Sequence, residues 1–109
     1  MIRIRVKGRS GRVEGFMVWG HAQYAPKDRD VVCAGVSALA TAAIIGLLRR
    51  APGHIRYRIF QEGLIYCRLC GPLPRAAARD AQAILDTMVL GFEAIWLNYG
   101  DCVDLSYRR

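Results

Sequence analysis

Residues 31–48 of this 109-residue chain carry no charged side chain, and no other segment constrains the fold as much. The run touches the lower limit of ~18 residues for a membrane span. Glycine, serine, threonine and several alanines dilute it, however, and nothing resembling a second span follows. Small residues suit close packing against a sheet, so the expectation is a buried core helix and no membrane. Asp30 can cap that helix, because its carboxylate accepts free backbone N–H groups of the first turn. The helix then runs from Val31 to Arg50, and Ala51-Pro52-Gly53 stops it.

Strand-like segments flank the run. Ile2, Ile4 and Val6 alternate with Arg3, Arg5 and Lys7, the period-two pattern of a half-buried strand. Gly8-Arg9-Ser10-Gly11 makes a turn into a second strand, Arg12 to Trp19, and residues 20–29 form a polar loop. Ile55–Phe60 and Leu64–Leu69 give the next strand pair. A second helix spans Pro74–Asn98, with Arg75, Arg79, Gln82, Asp86 and Glu93 forming a polar stripe. Cys102–Tyr107 is a last short strand. The reading is one α+β domain over residues 1–109, in the order strand-strand-helix-strand-strand-helix-strand. Its sheet is mainly antiparallel, with two helices packed on one face. The first helix lacks a polar stripe, so one sheet face and one neighbouring helix leave part of it uncovered, and a homodimer would bury the remainder.

The N-terminus alternates where a signal peptide would be continuously apolar. Cytoplasmic localisation is therefore expected, with the four cysteines reduced. The net charge of +7, from fourteen arginines and two lysines, raises the prospect of contact with nucleic acid. An arginine-rich proteome would produce the same balance, so direct nucleic acid contact stays open.

The chemistry concentrates between residues 20 and 37. His21 follows Gly20 at a strand end, and Cys33 lies twelve residues on at the predicted helix start. A cysteine becomes a nucleophile when a nearby base or a helix N-terminus favours its thiolate. With Asp30 as cap, Cys33 occupies the first turn, where unpaired N–H groups and the helix dipole favour negative charge. Taken alone, Cys33 reads more readily as a small buried apolar residue, since a buried free cysteine is usually structural. His21 alters that balance, since the loop can return the imidazole to the thiol as base and then as proton donor. The pair reads as a thiol catalytic dyad.

Supporting roles follow from position. Asp30 can also orient the imidazole as a third member, and Ser37 lies one helical turn past Cys33. The backbone N–H groups of Cys33 and Ala34 are expected oxyanion donors. Gln23, Tyr24 and Asp28, in the loop between base and nucleophile, should border the substrate. That loop is expected to be poorly ordered until a peptide binds. Cys67 and Cys70 have C-x-x-C spacing but fall where strand residues point to opposite faces, so strand packing is expected there and no metal or cofactor. Arg3, Arg5, Arg56, Arg58 and Arg68 alternate along strands and can line one side of the sheet, as a solvated face or a binding surface.

Gly20-His21-Ala22 with Tyr24-Ala25, then Asp30-Val31-Val32-Cys33 with Val36-Ser37-Ala38-Leu39, resembles the ribosomal-processing cysteine protease family, Prp. The resemblance implies a homodimeric cysteine endopeptidase of the bacterial cytoplasm. Such an enzyme removes a short N-terminal extension from a large-subunit ribosomal protein during ribosome assembly. It aligns Cys33 with the nucleophile, His21 with the general base and Asp30 with the acidic residue before the cysteine. Asp28 stands where the family commonly has glycine, Pro26 also sits in the loop, and Gly35 stands where alanine is usual. The alternative is a non-catalytic RNA- or ribosome-binding module that uses the arginine face.

Overall fold

The apolar–basic alternation of residues 2–7 becomes a strand with its apolar face turned inward. The computed structural model describes residues 1–9, 11–20, 27–60 and 63–109, with residues 27–30 described in backbone only. The elements are β1 (Ile2–Arg9), β2 (Arg12–Trp19), α1 (Lys27–Arg50), β3 (Ile55–Ile59), β4 (Ile65–Leu69), α2 (Arg75–Asn98) and β5 (Val103–Arg108). They form a five-stranded sheet in the order β3-β4-β2-β1-β5. β1–β2, β2–β4 and β3–β4 are antiparallel, whereas β5 lies parallel to β1, with Ile2 opposite Val103 and Val6 opposite Tyr107. The expected α+β class and element order hold, in a sheet that is mostly antiparallel.

Both helices cover the same face. Ile2, Ile4 and Val6 of β1, Phe16 and Val18 of β2, Ile65 and Cys67 of β4, and Val103 and Leu105 of β5 are buried against them. Phe92 of α2 is fully buried and meets Phe16 edge-on, with ring centroids 6.3 Å apart at 68°. That geometry suits the positive edge and negative face of aromatic rings.

The helices run antiparallel at close range, because glycines on each admit a neighbour from the other. A Cβ at Gly91 would stand 2.8 Å from Leu39 Cδ1, one at Gly46 3.3 Å from Ile84 Cδ1, and one at Gly35 3.7 Å from Ile95 Cδ1. The inward face of α1 is Val32, Val36, Ala40, Ala43, Ile44 and Leu47. The uncharged run is thus a core helix on one side. Its other side stays apolar and exposed: Val31 is 68% and Ile45 51% accessible.

One long-range bond pair ties α2 to the sheet. The Gln82 carboxamide accepts from the Val13 N–H at 2.9 Å and donates to the Val13 carbonyl at 2.8 Å. β4 pairs with β2 only from Gly15 to Val18. The Gln82 side chain therefore stands in for a neighbouring strand at Val13.

The first helix begins four residues before its expected start. Lys27, Asp28 and Arg29, read from sequence as loop, are helical, and Asp30 lies inside the first turn instead of capping it. The composition accounts for this. Pro26 precedes the start, and proline suits helix beginnings. Asp28 and Asp30 then fall where a helix dipole favours carboxylates.

Candidate active site

Gly20 sets the geometry at the end of β2. Its φ is 87° and a Cβ there would collide with the carbonyl oxygen of Met1. Only glycine takes this left-handed turn over the first residue without strain. The turn leads into His21, which with Gln23 and Tyr24 lies outside the described residues.

Cys33 is the seventh residue of α1, counted from Lys27. Its side chain is half-buried, packed on the rim of the core, and its thiol is free. Ser37, one turn on, is also half-buried, and Ala34 is exposed. One expectation is corrected by this position. Cys33 does not sit in the first turn, where the free N–H groups and the dipole act. In α-helical geometry the N–H groups of Cys33 and Ala34 face carbonyls four residues back.

The other thiols are differently placed. Cys67, in β4, is 1% exposed. Burial, and secondarily Cys70, push its thiol from the ordinary 9.0 up to about 12. Cys102 is buried in the same core. Cys70 is half-buried just beyond β4, where its N–H donates to the His54 carbonyl at 2.8 Å and its carbonyl lies 3.1 Å from His54 Nδ1. All four are free. The C-x-x-C pair thus combines a core thiol with one at a strand end.

The opposite sheet face carries no helix. Register places Arg56 beside Arg68, and Arg58 beside Tyr66, which pairs in turn with Met17 and through it with Arg5. The expected alignment of Arg3, Arg5, Arg56, Arg58 and Arg68 on one side is therefore found. Arg5 donates to Asp104 Oδ2 at 3.0 Å and lies 5.2 Å over the Trp19 ring. Trp19 and Tyr66 escaped the sequence reading, although each lies an odd number of positions from an inward residue, Phe16 or Cys67, which puts it on the outer face.

A free, half-buried thiol on a helix rim beside a five-stranded α+β sheet suits a thiol-dependent hydrolase. The model of the cysteine protease Prp family matches residues 1–104, and the chain belongs to that family. The ribosomal processing cysteine protease Prp of Bacillus subtilis is 30% identical over 87 residues, 79% of this chain and 78% of that protein. That of Staphylococcus aureus is 28% identical over 109 residues, 90% of each chain. The crystal structure of the S. aureus protease with a substrate peptide superposes with a TM-score of 0.83 at 24% identity, covering 99% of this chain and 100% of that one. At that identity the superposition bears on the fold alone. Membership in a cysteine protease family sets aside the non-catalytic alternative.

Proposed function

We propose that this cysteine protease cleaves an N-terminal extension from a large-subunit ribosomal protein during ribosome assembly, using Cys33 and His21. The observation that carries this reading is the family match over residues 1–104, joined to a free, half-buried thiol at Cys33. The names of the B. subtilis and S. aureus relatives, ribosomal processing proteases, supply the substrate class.

His21 takes the Cys33 proton, the thiolate attacks the scissile carbonyl, and the tetrahedral adduct collapses as His21 protonates the leaving amine. Water then hydrolyses the thioester by the same base. Asp30 has the role of orienting the imidazole, and Ser37 supports the thiol from the next turn. Residues 22–29, with Gln23, Tyr24 and Asp28, border the peptide. No metal or cofactor enters the scheme, and the enzyme acts in the cytoplasm.

The active form is a homodimer built on α1. Val31, Ile45 and Leu48 are exposed on its outer side, and Tyr57 and Ile59 are exposed on the same side of the edge strand β3. Apolar patches of this kind mark interfaces in soluble proteins. Light scattering at micromolar concentration should report twice the chain mass of 12.2 kDa.

Incubation with a ribosomal protein precursor bearing its N-terminal extension tests the proposal, with mass spectrometry locating the cut. Wild-type enzyme should release one short peptide, while Cys33→Ala and His21→Ala remain folded by circular dichroism and release none. Near-normal cleavage by either variant would remove that residue from the scheme.

A further inference from the structure

The helix-free sheet face has a composition that peptide hydrolysis does not call for. Arg3, Lys7, Arg56, Arg58, Arg68 and Arg108 stand on it, and none of them is in an ion pair among the described residues. The carboxylates within the strands are Glu14, held near Arg9, and Asp104, held by Arg5. Positive charge on this face is thus neutralised at Arg5 and left standing elsewhere.

The face is also grooved. A cavity of about 500 Å³ runs over β5, β1, β2 and β4, lined by Lys7, Trp19, Tyr66, Arg68 and Arg108 among others. A second of about 500 Å³ continues over β4 and β3, between Arg56, Arg58, Tyr66 and Arg68. Tyr66 and Arg68 line both, so the two concavities join into one trough across all five strands. At ~4.8 Å per strand, the trough is about 19 Å long.

We propose that this trough binds single-stranded RNA. Three features favour RNA over other polyanions. The cations are mostly arginine, whose planar fork fits phosphate and stacks on bases. Two aromatic rings, Tyr66 and Trp19, interrupt the cationic rows, and base-on-ring stacking on an open sheet is a recurrent mode of single-strand RNA recognition. Arg5 fixes Trp19 in place by lying over its ring while anchored to Asp104. The length admits roughly four to six nucleotides, a small but ordinary site for such surfaces. The trough lies on the sheet face opposite α1, so bound RNA and a peptide at Cys33 do not compete.

Fluorescence anisotropy with a labelled oligouridylate of about twelve nucleotides tests this, since it exceeds the trough in length. With Lys7, Arg56, Arg58 and Arg68 each on a phosphate, log affinity against log salt has a slope of about −2.8, an approximately fiftyfold loss from about 50 to about 200 mM salt. Arg56→Gln/Arg58→Gln should bring the slope to about −1.4. Tyr66→Leu keeps apolar bulk, removes the ring, and should weaken binding about 5- to 150-fold. Both variants should cleave a model peptide at the wild-type rate. Unchanged affinity in the arginine variant overturns the proposal. So does a duplex RNA or an oligoglutamate that binds as tightly as the single strand.

Discussion

Alkylation of the native enzyme at neutral pH separates its four thiols by physical state. Cys67 has two layers of protection. Burial raises its thiol from 9.0 to about 12, which lowers its thiolate population at neutral pH about a thousandfold, and the thiolate is the reactive species. It is also 1% exposed, so iodoacetamide reaches it only through an opening of the fold. Cys102 is buried likewise, whereas Cys33 and Cys70 are half-buried. Brief iodoacetamide treatment followed by peptide mapping should find label at Cys33 and Cys70 and essentially none at Cys67 or Cys102. In denaturant all four should label. Loss of precursor cleavage should follow Cys33 occupancy and persist in a Cys70→Ser background. Native labelling of Cys67 at a rate comparable to Cys33 would refute the assignment of Cys67 to the core. Inactivation that tracks Cys70 would refute the choice of nucleophile.

Other perturbations bear on the frame. Phe92→Ala removes a fully buried ring and its edge contact with Phe16, and should cost about 3–5 kcal/mol by urea denaturation. Gly20→Ala forces a left-handed residue against the Met1 carbonyl and should cost at least ~1–2 kcal/mol, with cleavage falling further than stability because His21 is displaced. Gln82→Leu strands both backbone groups of Val13, a loss of about 1–3 kcal/mol. Cys67 also makes stability pH-dependent: with its folded pKa raised to about 12, its contribution is full below the unfolded value near 9 and is lost as pH rises toward the folded one. Urea midpoints should fall across that alkaline window more steeply for wild type than for Cys67→Val.

The strands and the buried faces were legible because period-two alternation is a local signal. Ile2, Ile4 and Val6 announce their face without any partner. The start of α1 was not legible, because Lys27, Asp28 and Arg29 are polar in a first helical turn as they would be in a loop. That misreading carried over to the site, since it set Cys33 one turn too near the helix end. The parallel pairing of β1 with β5 and the Gln82 contact with Val13 depend on residues far apart in sequence, and no window of local pattern contains them. The basic face was half visible: the arginines alternate in the text, but the trough across them arises only once β4 lies between β3 and β2. His21, Gln23 and Tyr24 rest on sequence alone.

The seating of β5 beside β1 has a consequence for how the enzyme is made. Val103 is the partner of Ile2, so β1 waits for a strand that follows both helices in the chain before its outer edge is closed. Such distant pairing pays its loop-closure entropy before any contact rewards it. A nascent chain can form the β1–β2 hairpin and α1 at the ribosome, yet it keeps an open strand edge until residues 103–108 leave the exit tunnel. Completion of the sheet is thereby tied to the emergence of β5.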